Sequence, residues 1–402
     1  MPLDHRDAPT PEPLVPLHCL RALQPGPPTR TALPTGTPVW LVRRHADVRQ
    51  VLTDPRLGRA ELFAPDAPKL TESPNLTDEP NGILNLDGPE HQRLRRTVQR
   101  AFTPRAVARW RPWVASVVED LLTGLGKAEP PVDLVASFTR PLPVAVISRL
   151  MDLDGLNFER LAHWSDQALS TSAYTPQEVT TGMREFGEFA AQLVAERRRS
   201  PGEDLVSSLV QAADQDGEVT EQQIVPLVMG LVVAGHETTI TALGNALVYL
   251  LGEDLRTWQE LAGDEQQAAT VAEQLLRSVP LGDRTVLPGL LRRAVADVEI
   301  GGVLISAGDV VAADTFAANH DPETYPGDWR ASLLSQPSTP HLTFGAGPHH
   351  CLGAWLARME LELALNRLAQ RLPQLRLAVP VDRITWRTGL LTRSPQTLPV
   401  TW

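Results

Sequence analysis

The sequence contains little cysteine and little lysine. Its 402 residues include two cysteines, Cys19 and Cys351, which lie far apart and do not suggest the disulfide framework of a small secreted protein. This sparing use of cysteine fits a reducing cytoplasm, and Cys19 is most simply a packed thiol. Lys69 and Lys127 are the only lysines, so arginine supplies almost all of the positive charge.

Long apolar runs are also absent from the sequence. The N-terminal stretch MPLDHRDAPTPEPLVPLHCL has no apolar segment of signal-peptide length, and no uninterrupted apolar run of about 20 residues occurs elsewhere. The formal net charge of -11 argues against nucleic acid as a main partner. We therefore expect a cytoplasmic protein that binds neither membranes nor nucleic acid, and we expect it to be a monomer.

The residues that are present predict a mainly α-helical protein with a small β-sheet part, folded as a single domain over residues 1–402. Hydrophobic periodicity of three to four residues predicts the helices, and short alternating runs between glycines predict the strands. Helices are predicted at 46–54, 89–212 (as a series), 221–251, 266–277 and 354–372, and strands at 39–42 and within 296–312. The proline-rich first 35 residues are predicted to be irregular, and 61–85 a long loop of functional interest.

Cys351 lies in the stretch FGAGPHHCLG, residues 344–353, directly before a predicted helix. Gly345 and Gly347 can adopt positive φ angles, and Gly353 has the same freedom just after the cysteine. Unpaired N–H groups and the dipole at a helix N-terminus favour a thiolate. Cys351 is therefore a candidate metal ligand.

The residues alone leave three interpretations of this loop. A zinc site needs four ligands, and although His341, His349 and His350 are nearby, the adjacent His350 and Cys351 would chelate poorly. A single cysteinate is the ligand of thiolate-bound haem. A structural glycine-rich turn around a buried cysteine is the third interpretation.

A second motif, AGHETT at residues 234–239, lies within the long apolar helix. A zinc-binding pair would need a second histidine at the position of Ile240. An acid and a threonine are costly to bury there, whereas the small Gly235 leaves room against the helix and Thr238 can hydrogen-bond to an upstream carbonyl. The alternative is a kinked core helix with Glu237 and Thr238 facing solvent.

A third motif is LDGPEHQRLRRTVQRAFTPR, residues 86–105. Pro89 and Glu90 suit the first turn of a helix. His91 and Arg95 are four residues apart and so share one face of that helix. By itself such a cluster is typical of a solvated basic surface.

The three motifs resemble those of cytochromes P450, and the similarity to soluble bacterial members of actinobacterial type covers almost the whole chain. FGAGPHHCLG matches every defined position of the family's haem-binding loop, Phe-Gly-x-Gly-x-His-x-Cys-x-Gly. The resemblance implies the cytochrome P450 fold and haem b, with Cys351 as the axial ligand of the iron. It also implies that Phe344 shields the sulfur, that His349 helps to hold a propionate, and that Gly345 and Gly353 shape the loop around the cofactor.

The resemblance assigns roles to the other two motifs as well. Ala234 and Gly235 would lie beside the cofactor in the oxygen pocket, Thr238 would hydrogen-bond to the bound dioxygen, and Glu237 would deliver protons. His91 and Arg95, together with Arg292 further along the chain, would bind the haem propionates.

The resemblance also implies partners and a reaction. A ferredoxin and its reductase would supply electrons, docking in part on Arg93 and Arg96. The acid–alcohol pair predicts monooxygenation of an apolar, fairly bulky small molecule such as a secondary-metabolite intermediate. Analogy predicts a substrate pocket that includes Ile83, Leu84, Val233, Ala234, Val286, Leu287 and Leu391. Coupling or desaturation without oxygen insertion is one alternative, and a non-catalytic recruitment module is another.

The segment AEQLLRSVP departs from the family pattern. The family's Glu-x-x-Arg becomes Gln274 and Arg277, and Glu273 is displaced by one residue, about 100° around the helix. A later arginine position falls on Gln336, with Arg330 the nearest alternative. A group of Gln274, Arg277 and Gln336 would leave Arg277 without a carboxylate. This departure has two interpretations. One is structural drift with haem still bound, and the other is a weakened haem fold with lost activity.

Overall fold

The computed structural model describes residues 25–70, 75–153, 158–264, 266–282, 289–329 and 333–402. Four residues named above, Cys19, Val286, Leu287 and Arg330, lie outside these ranges. The described part confirms a mainly helical chain with small sheets. Its helices are α1 (His45–Thr53), α2 (Gly88–Val98), α3 (Pro104–Ala108), α4 (Arg111–Leu125), α5 (Pro141–Met151), α6 (Phe158–Ala168), α7 (Pro176–Arg199), α8 (Leu205–Asp216), α9 (Glu221–Gly252), α10 (Leu255–Gly263), α11 (Gln267–Ser278), α12 (Thr315–Ala318) and α13 (Ala354–Arg371).

The strands form three small antiparallel or mixed sheets within the described residues. The strands are β1 (Thr29–Ala32), β2 (Pro38–Val42), β3 (Leu57–Gly58), β4 (Val132–Asp133), β5 (Leu290–Ala294), β6 (Val298–Ile300), β7 (Val303–Ile305), β8 (Val310–Ala313), β9 (Arg376–Leu377) and β10 (Pro399–Thr401). The largest sheet has the order β1-β2-β8-β5-β3, in which only β2 and β8 are parallel. A second has the order β4-β10-β9, and β6 and β7 form a hairpin.

Strand β1 corrects the expectation that the first 35 residues are irregular. Thr29 pairs with Leu41 and Ala32 with Pro38, so this short segment extends the largest sheet at its edge. Prolines flank it in the sequence and mask its strand signal. Pairing with β2, rather than a local pattern, gives it the extended conformation.

Helix α9 is the long helix that the sequence predicts, and it runs through the main core. At its start the Gln223 side chain accepts a hydrogen bond from the Thr220 N–H, at 3.1 Å, which caps the helix. It packs against α5, α7 and α13, and Leu243 and Leu247 are fully buried. By length and composition α9 could cross a membrane, with a mean hydropathy of 1.4, but 61% of that window is buried among neighbouring elements, as in a core helix.

Helices α11 and α13 position the segment that contains Cys351. The two helices pack against each other, and α13 also packs against α4, α9 and α10. The cysteine segment leads directly into α13, so this packing fixes its distal end. The predicted loop at 61–85 contains short turns of helix at Ala60–Phe63 and Leu76–Asp78 in its described part.

Candidate active site

The cysteine loop, residues 344–353, is shaped by glycine and by its own backbone. Gly345 and Gly347 have φ angles of 70° and 69°, a region that favours glycine. A Cβ on Gly347 would lie 2.8 Å from a backbone oxygen of α1, which cannot move aside easily. The Cys351 N–H donates to the Phe344 carbonyl at 2.8 Å. The loop is therefore a defined turn that holds the cysteine in one place.

Gly353 differs from the two earlier glycines, because its φ angle is -81° and its freedom to adopt a positive angle is not used. It stands at the start of α13. There its N–H and that of Ala354 lie close enough to the Cys351 sulfur to act on the pKa of the thiol. The helix N-terminus thus faces the sulfur, as the sequence predicts.

Opposing influences act on the Cys351 thiol. The residue is exposed by its accessible area, yet the surrounding protein desolvates the sulfur, and this burial raises the pKa of the thiol. Four groups act to lower this pKa but do not outweigh burial. They are the N–H groups of Gly353 and Ala354 and the charges of Arg95 and Arg358. A metal ion at the sulfur would deprotonate it outright. The surroundings of Cys351 therefore suit a cysteine that binds a metal ion as a single thiolate ligand.

The histidines near the loop have partners of their own, which argues against zinc. His341 Nε2 lies 3.2 Å from Glu273 Oε1, and His349 Nε2 lies 3.1 Å from Asp87 Oδ1. Over the ranges that the structure describes, no three His, Cys, Asp or Glu side chains converge as a metal-holding group. A four-ligand zinc site does not fit this geometry.

Two buried arginines, Arg59 and Arg292, lie within electrostatic range of His349. They are 8% and 3% exposed, and burial is the main cause that lowers their pKa to about 9 and about 10 respectively. Arg59 Nε donates to Asn85 Oδ1 at 3.2 Å, and Arg292 Nη1 donates to the Leu291 carbonyl at 2.8 Å. These partners are neutral oxygens, so they do not compensate the buried charge.

Asp87 is a carboxylate beside this arginine pair. Its Oδ2 accepts hydrogen bonds from the backbone N–H groups of Arg59 and Ala60, at 2.5 and 2.7 Å. Burial acts to raise the Asp87 pKa, but the hydrogen bonds from His349 and from these N–H groups hold it at about 2. Asp87 and Asp78 attract Arg59, yet its pKa stays lowered. An anionic group from outside the chain would supply the missing compensation.

His91 completes the cluster around the loop. Its ring centroid lies 4.3 Å from that of His349, and burial, followed by the charges of His349 and Arg95, lowers its pKa to about 4. Arg95 Nη2 donates to the His350 carbonyl at 2.7 Å, which ties α2 to the cysteine loop. The structure thus brings together His91, Arg95, His349 and Arg292. Arg59 joins them without any motif to announce it in the sequence.

The AGHETT segment presents one accessible face of the otherwise buried helix α9. Ala234 and Thr238, four residues apart, are both exposed on that face. Thr238 Oγ1 donates to the Ala234 carbonyl at 2.9 Å, which is the back-bond expected from the sequence. Gly235 serves another purpose, because a Cβ there would lie 2.5 Å from Ile147 Cδ1. Its small size permits the close contact of α9 with α5.

Glu237 is 4% exposed, so the alternative with this residue facing solvent is wrong. Its Oε1 accepts hydrogen bonds from Arg387 Nη1 at 2.5 Å and from Thr392 Oγ1 at 3.2 Å. Arg387 also binds the carboxylate of Asp166 in α6. Burial acts to lower the Arg387 pKa, but the two carboxylates raise it overall. Arg387 and Thr392, the two partners of Glu237, come from a distant segment and have no local signal in the sequence.

Comparison with known proteins identifies the family. The family model described as Cytochrome P450 matches residues 283–395, which include the cysteine loop. Over 386 residues the chain is 42% identical to nocardicin C N-oxygenase of Nocardia uniformis subsp. tsuyamanensis, which covers 95% of this chain and 94% of that protein. The chain belongs to the cytochrome P450 family.

Two further comparisons extend to the whole fold of this P450. Mycinamicin IV hydroxylase/epoxidase of Micromonospora griseorubida is 40% identical, over 94% of this chain and 92% of that protein. The solved structure of HinD with NMFT and NO has a TM-score of 0.88 at 38% identity and covers 98% of each chain. The P450 fold and the monooxygenase class are confirmed. The cofactor of the family is haem with a cysteine-ligated iron, and Cys351 is the cysteine of the matching loop.

Gln274 and Arg277, the pair at which the sequence departs from the expected family pattern, lie in contact in this P450. Its Oε1 accepts a hydrogen bond from Arg277 Nε at 2.8 Å, and its Nε2 donates to the Ser335 carbonyl at 2.5 Å. Arg277 Nη1 donates to the Asn319 carbonyl at 2.6 Å, and its guanidinium carbon lies 4.7 Å from the Tyr325 ring centroid. Neutral oxygens and an aromatic face therefore satisfy this buried arginine, whose pKa burial lowers.

Gln336 does not join this group, which corrects the expected set of Gln274, Arg277 and Gln336. Its Nε2 donates instead to Thr270 Oγ1 at 2.6 Å. The backbone carbonyl of Ser335, one residue earlier, takes the place next to Gln274. The other candidate partner, Arg330, lies outside the described residues.

Asn319 links Arg277 to the residues just before the cysteine loop. Its Oδ1 accepts from the Leu342 N–H at 2.7 Å, and its Nδ2 donates to Thr343 Oγ1 at 2.8 Å. Thr343 Oγ1 donates in turn to the Leu276 carbonyl of α11 at 2.7 Å. A network of neutral groups thus supports this side of the loop without the family's carboxylate.

The residues predicted to line the substrate pocket occupy different environments. Val233 is 2% exposed and packs in the main core, whereas Leu84 is 43% exposed. Ile83 and Leu391 are partly buried against that core. The Leu391 N–H donates to the Leu169 carbonyl at 2.9 Å, which ties the C-terminal segment to the end of α6.

Proposed function

We propose that this P450 inserts one oxygen atom of O2 into an apolar, fairly bulky small molecule of secondary metabolism. The observation that carries the proposal is the undercompensated buried pair Arg59 and Arg292 beside the loop of Cys351. Buried guanidinium groups without matching charge favour an anionic ligand, and the propionates of haem are such groups. A structural turn around a packed cysteine would not need them.

Residues of the cysteine loop, of α2 and of the neighbouring buried arginine pair would each hold a different part of haem. Cys351 is the iron ligand, Arg59, Arg292, His91 and His349 neutralise or hydrogen-bond the propionates, and Phe344 covers the sulfur. Bound haem supplies the oxygen chemistry, which a thiolate ligand favours. Arg95 holds the loop through the His350 carbonyl.

Thr238 and Glu237 would manage protons in the distal part of the site. Thr238 is exposed, so its hydroxyl can turn from the Ala234 carbonyl towards a bound ligand. Glu237 is the nearest acid in sequence and is held by Arg387. A rotation of its carboxylate away from Arg387 would free it to take a proton from solvent and pass it towards Thr238.

A ferredoxin is the proposed electron donor, and it would dock on exposed arginines of α2, the helix that Arg95 ties to the cysteine loop, and of the segment after it. Arg96, Arg100 and Arg105 are exposed on α2 and the segment after it. Arg93 suits this role less well, because it forms ion pairs with Asp216 and Glu218. Docking through exposed arginines would weaken as the salt concentration rises.

The named relatives support oxygen insertion over coupling. One is an N-oxygenase and the other a hydroxylase/epoxidase, so each adds oxygen by its name. The aliphatic character of Ile83, Ala234 and Leu391 favours an apolar substrate.

A carbon monoxide difference spectrum of the reduced protein tests the haem–thiolate assignment. We expect the Soret band of a thiolate-ligated ferrous haem, lost in Cys351→Ser and weakened in the double variant R59Q/R292Q. A spectral-shift screen with apolar metabolites then finds the substrate, and product mass identifies the reaction. A gain of one oxygen supports insertion, and a loss of two hydrogens overturns it.

A further inference from the structure

Glu273 and Arg358 form a two-point ion pair between α11 and α13. Glu273 Oε2 lies 2.7 Å from Arg358 Nε, and Oε1 lies 2.9 Å from Nη2. The two side chains are 21% and 25% exposed, so the pair is shielded from most of the solvent. Bidentate geometry fixes the guanidinium plane as well as its position.

Arg358 places its charge beside the cysteine loop. Its guanidinium carbon lies 4.5 Å from the Phe344 ring centroid and 5.5 Å from that of Trp355. Phe344 accepts the backbone hydrogen bond of Cys351 through its carbonyl. The chain of contacts therefore runs from Glu273 through Arg358 and Phe344 to the cysteine.

His341 provides a second contact between Glu273 and the residues next to the cysteine loop. The Thr343 N–H donates to His341 Nδ1 at 3.3 Å, so the ring proton lies on Nε2, which is 3.2 Å from Glu273 Oε1. Among the described residues His341 Nε2 has no hydrogen-bond partner, so its attraction to Glu273 is electrostatic. The centroids of the His341 and Phe344 rings lie 5.6 Å apart, so Glu273 contacts two of the side chains that surround the Phe344 ring, His341 and Arg358.

The ion pair of Glu273 and Arg358 supplies the charged groups on this side of the cysteine loop. Arg277 is satisfied by the neutral Gln274 and Asn319, so that group contributes no carboxylate. Arg358 acts electrostatically on Cys351, and Glu273 offsets that positive charge at contact distance. The position one residue before the family's glutamate thus carries the negative charge of this side of the loop.

We infer that Glu273 and Arg358 are a displaced charged brace that positions Phe344 and sets the electrostatic potential at Cys351. The inference rests on the proposed haem–thiolate function. Glu273 limits how much of the Arg358 charge reaches the sulfur, and Arg358 keeps the potential there more positive than the loop alone would. Both are positioning residues, since they act through Phe344 and the field at the sulfur.

Spectroelectrochemical titration of the haem-loaded variants tests the brace. Glu273→Gln should shift the haem reduction potential in the positive direction, because the Arg358 charge is no longer offset. Arg358→Gln should shift it in the negative direction, and the double variant E273Q/R358Q should lie between the two. Arg358→Lys keeps the charge but loses the fork, so its potential should stay near that of the wild type even where stability falls.

A matched control is available on the same helix. Glu362 of α13 pairs with Arg111 of α4, and Glu362→Gln removes an ion-paired carboxylate without touching the loop. This variant should leave the potential unchanged. Shifts of the same sign in E273Q and R358Q, or no shift in either, would overturn the brace while a normal carbon monoxide spectrum of the wild type leaves the proposed function standing. A wild type without that spectrum would overturn both.

Discussion

Glu237 in α9 and Arg387 in the C-terminal segment form a buried ion pair, with 2.5 Å between Oε1 and Nη1 and side chains that are 5% and 12% exposed. The same guanidinium binds Asp166 of α6. Three segments that are distant in sequence therefore meet at one arginine. The proposed proton donor is held, rather than free, in this conformation.

Arg387→Gln should lower the free energy of unfolding by about 3 kcal/mol, because two carboxylates lose their shared cation. Urea unfolding followed by circular dichroism measures the loss. The double variant D166N/R387Q should recover part of it, since one orphaned carboxylate is removed. Arg184→Gln is the control: Arg184 pairs with Glu188 on the surface of α7, so the loss there should stay below about 1 kcal/mol. No recovery in the double variant would contradict a shared guanidinium.

Thr238→Ala should retain the fold but lose coupling between electron consumption and product. Within the described part of the chain the exposed Thr238 hydroxyl bonds to the Ala234 carbonyl of its own helix, so its removal should cost less than about 1 kcal/mol of stability. A positioned proton-transfer group contributes about 10²–10⁴-fold to rate, so product per NAD(P)H should fall at least about tenfold with hydrogen peroxide released instead.

Thr239→Ala provides the comparison for that experiment. Thr239 is the next residue, is 4% exposed and packs in the interior, so it should lose stability but not coupling. Peroxide and product assays on both variants separate the two effects. Unchanged coupling in Thr238→Ala would argue against its role in proton transfer.

Local spacing explains what the sequence predicts well in this P450. His91 and Arg95 follow from a four-residue interval on one helix, and Cys351 follows from a glycine-rich turn before another. Arg387 could not be predicted, because its partner Glu237 lies 150 residues away along the chain. Arg59 was missed for the same reason, as its environment is built by Arg292 and Asp87. Strand β1 was also unpredictable from its own residues, because its extended conformation depends on pairing with β2.

Gly347→Ala and Gly353→Ala should separate backbone strain from mere proximity to the cysteine. Gly347 has a φ angle of 69° and a backbone oxygen 2.8 Å from the would-be Cβ, so alanine should distort the loop and lower both the melting temperature and haem retention. Gly353 has a φ angle of -81° and open space at that point, so alanine should leave the melting temperature of the haem-free protein unchanged. Differential scanning fluorimetry of both variants checks this, and equal losses would contradict it.

Gln274→Glu tests whether the changed family position weakens the enzyme. The new carboxylate would pair with Arg277 but would also place a negative oxygen against the Ser335 carbonyl, which Gln274 Nε2 contacts at 2.5 Å. The attraction to Arg277 and the repulsion from the Ser335 carbonyl oppose each other. We therefore expect a change in stability of less than about 1.5 kcal/mol and little change in haem retention. A large gain in both would show that the native group is compromised. Thermal melting and the haem-to-protein absorbance ratio measure the outcome.

Glu273 should make the stability of this P450 depend on acid pH. Its usual pKa of 4.5 falls to about 2 in the folded protein: burial acts to raise it, but the attraction of His341 and the hydrogen bonds from Arg358 outweigh burial. The stabilisation is therefore complete above pH 4.5 and is lost as the pH falls towards about 2. At 1.36 kcal/mol per unit this shift corresponds to about 3 kcal/mol.

Urea unfolding of the wild type and Glu273→Gln, from neutral to acid pH, isolates this contribution. The two proteins should differ by a constant amount, about 3 kcal/mol or less, at any pH above the usual carboxyl range. The difference should shrink as the pH falls, because the protonated glutamic acid then resembles the amide. Asp87, whose pKa is also held at about 2, titrates in both proteins and cancels from the comparison. A difference that stays constant down to pH 3 would mean that packing, not charge, accounts for the contribution of Glu273.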